Sequence, residues 1–239
     1  MDAHLSTNLQ VESLVVGELS TNCYLVWCPE TFDCLIIDPA DSGTAIVETV
    51  LQKQLNPVAI ILTHGHFDHV LGLLEVQLAF DIPSYMHPAD DFLLGRAQSS
   101  ATHWLKHEVD PVPPATAQLK DQQLITIGNH QLRVLHTPGH TPGSVCLSSF
   151  LGTENNQSSE HENYSKESIL ICGDLLFKDG VGRTDFAYGK TMQLFASIDM
   201  LKGTLPNTTF CYPGHGEGFY LVDRLGSTAT SQDVVEPGV

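Results

Sequence analysis

Three histidines and an aspartate share six consecutive positions, His64-Gly65-His66-Phe67-Asp68-His69, directly after an apolar, β-branched run over residues 58–62. No other feature restricts the fold as much. The run reads as a buried strand that stops at a turn, with Gly65 as the turn residue. A fold that ends a buried strand in four ionisable groups must give them partners, because each unpaired buried polar group costs about 1–3 kcal/mol. Imidazole and carboxylate are the ligand types that suit zinc, iron or manganese. The bland alternative is a polar loop that happens to contain histidines. The rest of the chain argues against it.

Three further strand patterns end in the same way. Residues 132–135 run into Thr137-Pro138-Gly139-His140-Thr141-Pro142-Gly143, residues 169–172 into Gly173-Asp174, and residues 208–212 into Pro213-Gly214-His215-Gly216. His140, Asp174 and His215 are therefore delivered to turns by separate strands. Groups at the carboxyl ends of strands converge on one rim of a sheet. Glycine beside each lets the backbone turn sharply and approach closely.

Composition narrows the partners. The formal net charge is −17, from 28 acidic and 11 basic residues. That excess excludes nucleic acid and anionic membrane as partners. No apolar stretch reaches the roughly 18 residues of a membrane span. The start, MDAHLSTNLQVES, has neither a basic nor an apolar signal region, so the expected location is cytoplasmic. Cys23, Cys28, Cys34, Cys146, Cys172 and Cys211 have no CxxC spacing and mostly sit in apolar runs, so they read as reduced core residues. Lys178, Arg183, Lys190 and Lys202 all fall between Asp174 and His215. Arg183 is the candidate to hold an anionic end of a substrate, whereas Lys190 and Lys202 read as the solvated flank of a helix.

Along the chain, residues 11–19, 23–28 and 34–37 read as a meander of strands. Ser42 reads as the N-cap of a helix over 45–54, with Ile46, Val50 and Leu51 inward. A helix over 70–80 begins inside the His-rich motif and places Asp68 at the positive end of its dipole. A short strand over 83–86 and a short helix over 89–94 follow. Pro111, Pro113 and Pro114 mark 96–120 as a connection or lid rather than a core element, with His103 and His107 on the surface. Gly128-Asn129 signals a hairpin between 119–127 and 131–135. Residues 145–150 read as a strand, 152–167 as a flexible polar hairpin tip, and 190–201 as a helix with Met192, Phe195 and Leu201 on its apolar positions. Residues 1–226 form one domain and 227–239 a poorly ordered tail. The order of elements implies an α/β chain of two packed sheets with helices outside.

The ordered set HxHxDH, TPGHTPGS, GDLLF and YPGHG resembles the metallo-β-lactamase superfamily over most of the chain, from about residue 15 to about residue 218. Gly180-Val181-Gly182-Arg183-Thr184-Asp185-Phe186, with Asn22-Cys23-Tyr24 and Ile36-Ile37-Asp38-Pro39, is similar to the single-domain glyoxalase II-like hydrolases and also to the persulfide dioxygenases. The resemblance implies an αββα sandwich, two mixed sheets flanked by helices. It implies two divalent metal ions, zinc first, with iron or manganese as alternatives. His64, His66 and His140 would hold one, Asp68, His69 and His215 the other, and Asp174 would bridge. Asp38 would steady the ligands from behind. A hydroxide between two cations about 3.5–4 Å apart would attack a carbonyl carbon, with Asp68 accepting a proton. The implied substrate is a small-molecule thioester of the S-lactoylglutathione type, although Arg183-Thr184-Asp185-Phe186 stands where that family has basic and tyrosine contacts. The competing implication is a dioxygenase with one iron on His64, His140 and Asp174, whose members carry Ala-His-Asp where this chain has Gly214-His215-Gly216. A non-catalytic binding protein on the same fold is a third class.

Overall fold

The computed structural model describes residues 9–149 and 168–225. In chain order they form β1 (Gln10–Val16), β2 (Thr21–Trp27), β3 (Asp33–Ile37), α1 (Gly43–Gln52), β4 (Asn56–Ile61), α2 (Leu73–Phe80), β5 (Ser84–Met86), α3 (Asp91–Leu94), α4 (Ala97–Leu105) and β6 (Ala117–Gln118). The second half supplies β7 (Leu124–Ile127), β8 (His130–His136), β9 (Val145–Ser148), β10 (Ile169–Gly173), β11 (Leu176–Phe177), β12 (Gly180–Val181), α5 (Thr191–Thr204), β13 (Phe210–Pro213), β14 (Phe219–Tyr220) and α6 (Leu221–Leu225).

Two six-stranded sheets result, ordered β1-β2-β3-β4-β5-β6 and β14-β13-β10-β9-β8-β7, with a small β11-β12 ribbon. Both large sheets are mixed. β3, β4, β5 and β6 pair in parallel, as do β10 and β13, while the remaining pairs are antiparallel. Side-chain alternation explains the layers. On β3, Leu35 and Ile37 point to an inner core shared with Leu132, Val134 and Leu147 of the other sheet, whereas Cys34 and Ile36 point outward to Ile46 and Val50 of α1 and Leu73 and Val76 of α2. The outer face of the second sheet, including Leu170, Cys172 and Cys211, packs on Leu194, Ile198 and Leu201 of α5. Strands covered on both faces read as continuous apolar runs, which is why β4, β10 and β13 were visible in the sequence. No helix among the described residues is long and apolar enough to cross a membrane.

Several elements differ from expectation. Leu51 is 61% exposed and Met192 83% exposed, because the buried faces are Ile46 and Val50 on α1 and Leu194, Ser197, Ile198 and Leu201 on α5. Ser42 occupies the N-cap position but its side chain does not cap; Glu75 instead accepts from the Thr44 N–H at 2.8 Å. The helix expected from residue 70 begins at Leu73, after a single 3₁₀ turn over Phe67–His69. The reason is the Gly72 N–H, which donates to the Pro39 carbonyl at 2.8 Å, outside any helix ladder. Asp68 thus lies before the helix rather than on its dipole. Residues 97–105, expected within a connection, form α4; His103 and His107 are exposed. The expected hairpin tip over 152–167 and the tail over 227–239 lie outside the described residues.

Candidate metal centre

The ends of β4, β8, β10 and β13 meet on one rim, and all seven predicted side chains come together there. The first group is compact. His66 Nδ1 lies 3.1 Å from His64 Nε2 and 3.0 Å from His140 Nε2. In the second group His215 Nε2 is 3.2 Å and His69 Nε2 3.5 Å from Asp68 Oδ2. Asp174 stands between them, with Oδ1 3.4 Å from His69 Nε2 and Oδ2 3.6 Å from both His140 Nε2 and His215 Nε2. The turn that makes this possible has no room for a side chain at Gly214, where a Cβ would fall 2.1 Å from Asp174 Oδ1.

The donor set fits divalent metal. Thr63 Oγ1 gives its proton to Asp38 Oδ2 at 2.6 Å, so it accepts from His64 Nδ1–H at 3.0 Å, and His64 Nε2 carries a lone pair. His140 Nδ1–H donates to the Arg183 carbonyl at 2.8 Å, which leaves its Nε2 as a lone pair too. Burial, with the neighbouring histidine His140, pushes His66 down to about 3, and burial also lowers His64 and His140. Three neutral nitrogens aimed at one point repel each other unless a cation lies among them. In the second group, burial opposes the charged forms, but His69 and His215 outweigh it and hold Asp68 at about 2. Asp174 is likewise held well below the usual carboxylate range by His215 and His69. His69 is pushed up by Asp68, Asp174 and Asp38 against the effect of burial. Among the described residues, His69 Nε2 and Asp174 Oδ1 are buried with no hydrogen-bond partner. Two such orphans in contact are explained by a shared ligand.

The supporting side chains explain the rest of the geometry. Asp38, only 2% exposed, accepts from the Thr63 N–H at 2.7 Å and from His69 Nδ1–H at 2.9 Å. Asn22 and Tyr24 both donate to the Pro213 carbonyl, at 2.9 and 2.6 Å, and so fix the turn that carries His215. Three contributors escaped the sequence reading. Thr21 Oγ1 donates to Asp68 Oδ2 at 3.1 Å. Tyr188 Oη lies 2.7 Å from His66 Nε2, two positions beyond the Arg183–Phe186 motif. Asp90, fully buried, accepts from the Gly65 N–H (3.0 Å), Thr141 Oγ1 (2.6 Å) and the Gly143 N–H (2.6 Å) and clamps the His66 and His140 turns together. Gly143 is required there, since a Cβ would meet the Asp90 carboxyl carbon at 2.7 Å. The one hint in the sequence was an acidic first turn in the expected 89–94 helix.

We expect Asp90→Ala to destabilise the protein by roughly 3–5 kcal/mol, since three buried donors lose their acceptor at about 1–3 kcal/mol each and entering water offsets part of the loss. Thermal unfolding should then shift down by roughly 10 °C. A variant that melts with the wild type would refute the clamp.

Arg183 lines the cleft over the site, but its Nε and Nη2 both donate to the Asp185 carboxylate at 2.7 Å, and its guanidinium lies 4.6 Å over the Phe186 ring. In this geometry it forms part of the cleft wall. Cys172 points away from the cluster, toward the Leu176 and Tyr212 carbonyls, and burial pushes its thiol well up. All six cysteines are buried and unbridged, as expected.

A family model described as the metallo-beta-lactamase superfamily matches residues 16–153. "Probable metallo-hydrolase YqgX" of Bacillus subtilis (strain 168) is 35% identical, covering 84% of this chain and 87% of its own. "Hydroxyacylglutathione hydrolase GloC" of Haemophilus influenzae is 28% identical, covering 87% of this chain and 91% of its own. Among solved structures, BLEG-1, described as a B3 metallo-beta-lactamase, superposes with a TM-score of 0.76 at 29% identity over 91% of this chain and 97% of that one. TTHA1623 in a di-iron-bound form superposes with a TM-score of 0.75 at 32% identity over 90% of this chain and 98% of that one.

Proposed function

The chain belongs to the metallo-β-lactamase superfamily, and from that premise we propose that it hydrolyses thioesters with two divalent metal ions as cofactors. The observation that carries the proposal is the seven-residue set with Asp174 between its two halves. His64, His66 and His140 would hold one ion, Asp68, His69 and His215 the other, and Asp174 both. The dioxygenase alternative needs three of these residues, and it gives His66, Asp68, His69 and His215 nothing to do. Zinc suits the nitrogen-rich first group, and iron or manganese suits the same ligands. When bound, such ions lower the pKa of a coordinated water to about 7 and polarise a carbonyl oxygen.

The chain's own residues do the remainder. Asp68 faces the cleft and is ionised, so it can take up a proton on a carboxylate oxygen as a thioester carbonyl is attacked and return it to the leaving thiolate. Thr21 and His215 hold Asp68 Oδ2 in place. Asp38 fixes the tautomer of His69, and the Arg183 carbonyl fixes that of His140. No serine or cysteine nucleophile is needed. The relation to a hydroxyacylglutathione hydrolase supports thioesters as the substrate class and makes S-lactoylglutathione the first substrate to assay.

Elemental analysis of protein purified without chelator should give close to two metal ions per chain, and the loaded protein should release thiol from S-lactoylglutathione or a simpler acyl thioester. Inertness of the fully loaded protein on every thioester would defeat the reading. A ratio of one iron with oxygen uptake on glutathione persulfide would transfer the assignment to the dioxygenases.

A further inference from the structure

The cleft, of about 390 Å³, has the His/Asp cluster at its base and mostly apolar and aromatic side chains above it. A ladder of aromatic contacts leads outward from His66. Phe186 meets the His66 ring edge-on at 5.3 Å, Tyr188 stacks on Phe186 at 5.4 Å and 18°, and Phe92 meets Tyr188 edge-on at 5.6 Å. Helix α4 contributes Ala97, Ser100, Trp104 and Leu105 to the lining. Trp104, in the lining, is 59% exposed, so apolar surface runs from the cleft to solvent, and Phe92, behind Tyr188, is 40% exposed. Large exposed rings grouped around a concave site mark a place where a ligand covers them.

Charge points the same way. Apart from the His/Asp cluster, the ionised groups among the described lining residues are Glu18 and Arg183. Arg183 is engaged two-pronged by Asp185 and covers the face of Phe186. Lys178 is paired with Glu217 at 2.8 Å, and Lys202 lies 3.9 Å from Asp199. A glutathione thioester would bring two carboxylates to an acidic protein beside Glu18, with the one lining arginine already committed.

We infer that the outer cleft takes an apolar, uncharged arm, so that the preferred substrate is an aromatic or bulky aliphatic acyl thioester of an uncharged thiol, with Trp104 as the specificity-determining residue. This rests on the thioester reading above. Trp104 and Tyr188 offer broad, rigid faces that bury large area at small entropic cost. The lactoyl group, small and hydroxylated, leaves those faces uncovered.

The test is a two-by-two set of thioesters on the metal-loaded enzyme, lactoyl or phenylacetyl on glutathione or on N-acetylcysteamine. Phenylacetyl-N-acetylcysteamine should exceed S-lactoylglutathione in kcat/KM by at least tenfold. Trp104→Ala should collapse that preference through KM, and Trp104→Phe should restore most of it. A preference for glutathione with either acyl group, or an equal loss on all four substrates in Trp104→Ala, would overturn the inference. If no thioester is turned over, the hydrolase reading falls separately. Calorimetry then decides the cleft, using S-benzyl-N-acetylcysteamine against S-benzylglutathione as non-hydrolysable probes. Tenfold tighter binding of the uncharged thioether, lost in Trp104→Ala, upholds the apolar site; equal or reversed affinities overturn it.

Discussion

Replacing Asp174 with alanine is expected to abolish thioester hydrolysis, a loss on the order of 10³-fold or more in kcat, larger than removal of a single transition-state donor. Asp174 lies within 3.6 Å of candidate ligand atoms from both halves of the cluster. In the proposed assignment its loss would take a ligand from each metal position at once. It also strips His69 and His215 of a carboxylate that raises both of their pKa values against the effect of burial. Metal content should fall together with activity. The informative pairing is elemental analysis with a stopped assay on the same preparation. Activity that survives with two metals still bound would remove Asp174 from the site, and activity lost at full metal content would make it a group acting on substrate alone.

Asp38→Ala is expected to weaken metal binding by about 10–100-fold while leaving every proposed ligand in place, the effect typical of removing the carboxylate behind a ligating histidine. Asp38 touches no part of the cleft and acts through two neighbours. One oxygen receives His69 Nδ1–H at 2.9 Å and Thr63 Oγ1–H at 2.6 Å, and Thr63 in turn orients His64 at 3.0 Å. One buried carboxylate therefore sets the tautomer of a histidine in each half. Competition with a chromophoric chelator reads the affinity directly. A stability loss of a few kcal/mol should accompany it, because the Thr63 and His69 donors would be left in a buried site. If metal affinity holds while stability falls, Asp38 is a packing residue and its part in the centre is void.

Much of this architecture was legible in the chain. Strands β4, β10 and β13 have side chains packed on both faces, so each reads as an apolar run leading into a glycine turn. A turn that follows a buried strand in a layered fold has few places to go, which is why HGHFDH, His140, Asp174 and His215 could be assigned to one rim before any coordinates. The hairpin at Gly128-Asn129 was legible for a local reason, since its glycine adopts φ +54°. Helical faces were read less well. Leu51 and Met192 are large and apolar yet point to solvent, because periodicity says which residues share a face and not which face meets the sheet. Proline density misled over 97–105, because Pro111, Pro113 and Pro114 lie beyond the end of α4 and do not interrupt it.

The sequence by itself determined the kinds of candidate ligand atoms, their order, and the strand ends that carry them, because those depend on residue type and on periodicities only a few positions long. Tertiary structure decided which groups support or modify them. Asp38 and His69 are separated by 31 positions, Asp90 and Gly143 by 53, and Tyr188 and His66 by 122. It also decided that Arg183 is committed to Asp185 and that Trp104 faces the cleft. Such contacts arise only when two sheets pack and their connecting segments are laid across the same rim. Local propensity carries no record of that juxtaposition, since a buried aspartate and an exposed one are the same letter until the fold removes water from one of them.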